Sequence, residues 1–224
     1  MKKLNLLIAA AALALLGGNA MAQKAGTWSG SVGFTSLQPQ VSSGQLSAPA
    51  LPDTRVDIKN NTQLTGAINY AITDNIVAHV PLGFGFKHDI VGAGNPLIAA
   101  AGKLGDVRVL PITAIAQYRF LDASGAFRPY VGAGLTYAKF FKERGTAALT
   151  AATNPGSTGT TLSVESKLAP TIQLGATFNI NEKWYLDGSY TKTFLSTTTR
   201  LSTNQTIDTK LNPNGFTFQV GYKF

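Results

Sequence analysis

The chain has 224 residues, no cysteine, 13% charged residues, 23 glycines and a formal charge of +8. Without cysteine there is no disulfide framework and no thiolate metal site, and so little charge gives poor cover for a water-facing surface but suits a wall that meets hydrocarbon. The length fits one large all-β unit or two small domains, and no Pro/Gly/Ser-rich linker marks a division between halves.

The first residues read as a secretory signal peptide. Lys2 and Lys3 give the positive start, Leu4 to Leu16 the apolar core, and Ala20-Met21-Ala22 the small-x-small cleavage site before Gln23. A transmembrane helix is the competing reading, but the run falls short of the ~20 residues a span needs. No later segment reaches that length either. The expected organisation is therefore residues 1–22 as a removed signal and residues 23–224 as a single domain.

Hydrophobicity then alternates with a period of two, segment after segment, which marks strands with unlike faces. Strand one sets Trp28, Val32 and Phe34 against Ser29, Ser31, Gly33 and Thr35. Strand two, Arg55 to Ile72, sets Val56, Ile58, Leu64, Ile68 and Tyr70 against Asp57, Lys59, Gln63, Thr65 and Asn69. After Thr73-Asp74-Asn75, strand three carries Ile76, Ala78, Val80, Leu82, Phe84 and Phe86 on one parity and His79, Gly83, Gly85 and Lys87 on the other. Asn95 to Ala101 could form a turn or two of helix. Strands four and five are the longest hairpin: Leu110 to Phe120 alternates, Asp122-Ala123-Ser124-Gly125 reverses the chain, and Val131, Ala133, Leu135 and Tyr137 oppose Gly132, Gly134, Thr136 and Ala138. The connection from about Glu143 to Ser163 is expected to be disordered. Strand six presents Ile172, Leu174 and Phe178. Strand seven presents Trp184, Leu186, Tyr190 and Phe194, and strand eight Phe216, Phe218, Val220, Tyr222 and Phe224.

Eight strands whose connections alternate long and short are the pattern of an outer-membrane barrel. A soluble eight-stranded lipocalin-type barrel would be polar outside and apolar inside. Here one parity is nearly free of charge and rich in aromatics, while the other holds Asp57, Lys59, Lys87, Arg119 and Asp187. Charge on a lipid-facing wall is costly, so the greasy parity faces lipid. The predicted fold is all-β: an eight-stranded antiparallel up-and-down transmembrane β-barrel with short periplasmic turns and long extracellular loops. Aromatics near the short turns (Trp28, Tyr70, Tyr118, Phe120, Trp184, Tyr222) form one girdle, and Phe84, Phe86, Phe140 and Phe194 are expected to form the other. Basic residues gather near the long loops, as lipopolysaccharide phosphates would favour; a solvated loop surface accounts for them equally.

Candidate lumen-lining residues are Val77, His79, Pro81, Val109, Pro111, Ile115 and Gln117. This mixed set suits a narrow apolar path better than a water-filled pore, and a packed structural interior is the alternative. Pro81 and Pro111, on adjacent strands, cannot donate ladder hydrogen bonds. They imply a weak seam through which a greasy ligand could leave sideways, or else a pair of bulges. The two histidines, His79 and His88, lie on opposite parities, and no nucleophile, metal or phosphate-binding motif accompanies them. No enzyme and no cofactor is expected.

Several stretches are similar to the OmpW family of small outer-membrane barrels: NNTQL and YAITDNI between Asn60 and Ile76, FKHDIVG (Phe86 to Gly92), LPITAIAQYRFLDASGAFRPYVGAGLTYAKFF (Leu110 to Phe141), INEKWYLD (Ile180 to Asp187) and the terminal GYKF. The resemblance implies an eight-stranded barrel with a narrow, largely apolar channel for small hydrophobic molecules. It also implies membrane lipid as surroundings, and, in some members, a surface receptor for toxins or phages. A terminal strand ending on Phe224 resembles the signature read by the outer-membrane assembly machinery. Passive transport and a structural or adhesive barrel both stay open on the residues alone.

Overall fold

The computed structural model describes residues 24–224; the signal-peptide expectation for residues 1–22 lies outside the described residues. The alternating segments pair into one closed antiparallel barrel. In chain order it is built from β1 (Trp28–Gln38), β3 (Thr54–Ile58), β4 (Asn61–Ala71), β5 (Ile76–Leu82), β6 (Phe86–Gly94), β7 (Lys103–Arg119), β8 (Phe127–Gly145), β10 (Lys167–Asn179), β11 (Trp184–Thr193) and β14 (Asn214–Lys223). The sheet order is β3-β6-β7-β5-β4-β1-β14-β11-β10-β8, and β7 closes it on β8. β3 with β4, and β5 with β6, each make one interrupted stave, so these ten segments give eight membrane crossings. The longest ladder is the β7–β8 hairpin, paired from Gly105↔Gly145 down to Arg119↔Tyr130.

The long connections carry structure of their own. β2 (Ser42–Ser43), β9 (Leu162–Val164), β12 (Ser196–Leu201) and β13 (Thr206–Lys210) form a separate sheet in the order β2-β13-β12-β9. Two short helices, α1 (Pro96–Ala100) and α2 (Ala147–Thr153), complete this outer layer. The Asn95 side chain accepts from the Leu97 amide and caps α1, while Thr146 caps α2 through the Leu149 amide. The segment expected to be disordered, Glu143 to Ser163, instead holds α2 and the start of β9. Its Leu149 and Leu162 are anchored by burial in the apolar cluster of the outer half.

The outward parity agrees with the lipid-facing reading: Trp28, Val32, Phe34, Leu64, Ile68, Ile112, Leu135, Ile172, Leu174, Phe216 and Phe218 are all exposed. At the short-turn end Trp28 packs on Tyr70 with ring centroids 4.8 Å apart, and Trp184 meets Tyr222 at 5.0 Å, a girdle at the periplasmic boundary. Phe224 closes the last strand, its amide donating to the Trp28 carbonyl at 2.9 Å.

Two adjacent staves depart from strict alternation. Below the break at Lys59-Asn60 the even residues of β4 face out; above it Val56 and Ile58 pack inward on the apolar cluster. Likewise Phe84 is 86% exposed, whereas Phe86, two residues on, is 3% exposed and inward. Opposite β7, the register runs His79↔Ile115 and then Phe86↔Val109, one residue more on the β5–β6 side than on the β7 side. A one-residue slip exchanges the two faces of a strand. Gly85 makes the change possible: its φ of +86° suits glycine, and a Cβ there would lie 2.9 Å from the Phe141 ring. The expected upper girdle is corrected accordingly. Phe84 and Phe194 face outward, but Phe86 and Phe140 belong to the interior.

Candidate functional site

The interior divides into three levels. At the periplasmic end the inward residues are polar and interlocked. Gln117 donates to Gln173 at 2.8 Å and accepts from Arg119 at 3.1 Å. The Tyr130 hydroxyl and Thr177 both donate to Asp187, at 3.0 and 3.2 Å. Asn69 donates to the Tyr185 hydroxyl at 3.2 Å and meets His79 Nδ1 at 2.6 Å. The Tyr185 ring lies over its cross-strand partner Gly221, where a Cβ would come within 2.0 Å of it. These side chains are almost wholly buried, so their bonds act in a low dielectric and form a floor across the lumen.

Above the floor runs a belt of hydroxyls. Thr113, Thr136, Thr171 and Thr193 bond in series at 2.9, 2.7 and 2.9 Å across β7, β8, β10 and β11. Thr35 bonds Thr65 and Thr217 at 2.8 and 2.9 Å across β4, β1 and β14. β5 has no hydroxyl to add at this level: continuing its register puts Pro81 against Thr113 and Gly83 against Thr65.

Above the belt the interior turns apolar. Val56, Ile58, Ile90, Ile98, Leu104, Val107, Phe140, Leu149, Leu162, Val164, Leu201, Ile207 and Leu211 line a chamber with a cavity of about 60 Å³. More than half of this lining comes from the long connections, folded inward over the barrel mouth. A second cavity of about 100 Å³ sits at belt level, bounded by His79, Pro81, Leu82, Gly83, Phe86, Pro111, Thr113 and Ile115. It reaches the wall where the ladder fails. Between the pairs His79↔Ile115 and Phe86↔Val109, Val80 to Gly85 and Leu110 to Ala114 face each other without ladder pairing. Pro81 and Pro111 both lie in that interval, where their missing N–H groups cost nothing.

The seven candidate lumen residues thus form a column along β5 and β7 rather than one cluster. Val77 pairs Gln117 in the floor, and His79 pairs Ile115 just above; all four are buried. Pro81 and Pro111 border the unpaired interval, and Val109 joins the apolar cluster opposite Phe86. Sequence reading missed the larger part of the chamber, including Val56, Ile58, Phe86 and Phe140. The polar doublet Asn60-Asn61 and the Gly83-Phe84-Gly85 triplet were the available signals that the phase of alternation changes. The second histidine, His88, lies beyond the lipid-facing band on the inward face of β6, where Nδ1 meets the Lys59 carbonyl at 2.7 Å. Burial holds its imidazole below the ordinary value of 6.5, against the opposing pull of that bond and of Asp89. The two histidines do not converge, and among the described residues no cluster of His, Asp and Glu could hold a metal ion.

Comparison with known proteins agrees with this geometry. The OmpW family model matches residues 24–224. Outer membrane protein W of Escherichia coli K12 is 33% identical, with 100% of each chain covered. That of Vibrio cholerae serotype O1 is also 33% identical, covering 86% of each. The crystal structure of the outer membrane protein OprG from Pseudomonas aeruginosa has a TM-score of 0.81 at 25% identity, covering 92% of this chain and 99% of that one. An apolar outer band, a closed eight-stave sheet and these likenesses define an integral barrel of the Gram-negative outer membrane, and the chain belongs to the OmpW family.

Proposed function

We propose that the barrel passes small hydrophobic molecules from outside into the outer leaflet, entering the apolar chamber and leaving sideways between β5 and β7. The observation that carries this reading is the coincidence of three features: an apolar cavity above, a polar floor below, and an unpaired interval in the wall at their junction. A greasy solute gains little from a floor where Gln117, Gln173, Tyr130 and Asp187 are bound to one another and the buried cations of Arg128 and Lys223 stand beside them. Toward the wall it meets Pro81, Leu82, Leu110 and Pro111, and beyond them lipid. Val77, His79, Val109, Ile115 and Gln117 line or support this path. The reading is of a passive, non-enzymatic barrel surrounded by outer-membrane lipid and lipopolysaccharide, delivered by the assembly machinery through Phe224.

The test joins the two sides of the wall. Leu82→Cys and Ile112→Cys both point outward across the unpaired interval and are bridged by a short reducible bis-thiosulfonate linker. Uptake of a hydrophobic fluorophore into vesicles should fall close to the protein-free rate and return on reduction. Unchanged uptake in the bridged protein overturns the sideways exit. The hydrogen-bonded floor also favours a second reading, a closed structural or receptor barrel whose working part is the outer sheet of β2, β13, β12 and β9. Uptake by the unbridged wild-type protein no faster than by empty vesicles would select it.

A further inference from the structure

Just above the lipid-facing band, the outer surface of β6, β7 and β8 carries a cationic cluster with little acidic compensation. Lys87 on β6 is the direct ladder partner of Arg108 on β7. Lys139 on β8 is opposite Leu110, two residues along β7 from Arg108, and so lies diagonally across from it, a separation of ~7–8 Å. All three occupy the outward parity, and like charges directly opposite on a ladder destabilise it. Acidic relief is thin. Asp106 lies 3.7 Å from Lys87 but is shared with Lys103 at 3.2 Å. Among the described residues no carboxylate forms a salt bridge with Arg108 or Lys139. Immediately below stand exposed Ile112, Tyr137, Leu82 and Phe84, which fixes the cluster at the depth of lipid head groups.

We propose that Lys87, Arg108 and Lys139 dock a phosphate of lipid A, the phosphorylated lipid of the outer leaflet, and that its acyl chain lies down the wall over the interval between β5 and β7. Charge complementarity selects the occupant. Three cations on neighbouring strands offer a flat set of donors to a multiply charged phosphate, and the apolar strip beneath them continues directly to Phe84 and Leu82. Arg108 supplies the planar, paired donors that suit phosphate oxygens, with the two ammonium groups as flanking point charges. The lipid would then cover the outer mouth of the seam, and a solute leaving the barrel would emerge beneath an acyl chain rather than into open bilayer. The docking itself stands on the membrane placement of the barrel; only its effect on passage rests on the transport reading.

The experiment counts bound lipid on the folded full barrel in uncharged detergent by native mass spectrometry, folding being checked by heat-modifiable gel mobility. Wild-type protein and R108Q/K139Q are each offered bis-phosphorylated lipid A and its dephosphorylated form. Each Lys or Arg near an anionic lipid surface contributes about fivefold, so the double variant should bind the phosphorylated lipid roughly 25-fold more weakly. Wild type should lose at least that advantage with the dephosphorylated lipid, which deprives all three cations of their partner, an arm that needs no variant to fold. R200Q/K210Q, which removes equal charge from β12 and β13, should bind like wild type. Equal binding by wild type and R108Q/K139Q, equal binding of both lipids by wild type, or equal loss in R200Q/K210Q each overturns the proposal. So does displacement of the lipid by excess inorganic phosphate, which would mark a free-phosphate site. Lipid bound at this cluster with no fluorophore uptake would leave the docking standing and remove the transport reading alone.

Discussion

Below the threonine belt, Tyr185 with Asn69, Tyr130 with Asp187, and Gln117 with Gln173 and Arg119 join the staves through buried hydrogen bonds; above it, the same barrel surrounds a hollow lined by Ile, Leu, Val and Phe. The difference follows from what each end must exclude. A floor of buried polar groups is held by the bonds its members make to each other, and each of those bonds fixes a direction and a distance; among the described residues, the unpaired buried nitrogens of Arg128 and Lys223 are its exceptions. The chamber lacks such directional demands. Its lining comes from loops and helices as well as strands, and it can keep a void without an unpaired group.

The sharpest way to break this contrast is to add a methyl to the floor. Gly221→Ala places a Cβ within 2.0 Å of the Tyr185 ring, which is itself held through Asn69 and Ser29. We expect a loss of about 1–3 kcal/mol, toward the upper end, read as a lowered midpoint in urea unfolding from detergent. A midpoint within error of wild type would mean the floor is loose. A comparable enlargement in the chamber, Ile90→Phe, should cost less than about 1 kcal/mol because the side chain grows into free space. It should still slow fluorophore uptake severalfold; a large stability loss with uptake intact would reverse the comparison. The smallest effect concerns His88. Its imidazole is favoured neutral by burial in the fold, so the unfolded chain takes up a proton first as pH drops below 6.5. Stability at neutral pH should therefore decline as pH falls through 6.5 toward the lower folded value, and His88→Gln should flatten that decline. An identical pH profile in the variant would show that His88 is not buried neutral.

How much of this could be read from the sequence differs from stave to stave. The hairpin of β7 and β8 was legible almost residue by residue, because its alternation runs unbroken from Leu110 to Arg119 and from Val131 to Ala138. The inward placement of His79, Ile115 and Gln117 followed from the same period. Val56, Ile58 and Phe86 were assigned to the wrong face because the apolar residues keep one parity across Lys59-Asn60 and Gly85 while the backbone exchanges the two faces there, and a period of two carries no record of such an exchange. The chamber was the least legible part. Leu149, Leu162, Leu201 and Ile207 lie in connections whose Gly, Ser, Thr and Pro content reads as solvent-exposed loop, and only the closed barrel mouth gives these apolar residues somewhere to go. Likewise, the floor's partners are far apart in sequence, as with Tyr130 and Asp187, and nothing local announces their meeting.

The two interruptions, at Lys59-Asn60 and at Gly83 to Gly85, stand side by side on neighbouring staves. The ladder below them (Gly66↔Leu82 to Ala71↔Val77) and the one above (Thr54↔Gly94 to Ile58↔Ile90) share a single pairing offset. The pair therefore inverts as a unit, like a folded strip of paper creased once across both plies. Above the crease β6 stays laced to β7 from Phe86↔Val109 to Val91↔Lys103, so the side of the mouth that can yield is the outer edge at β3, while the membrane-embedded cylinder keeps its shape.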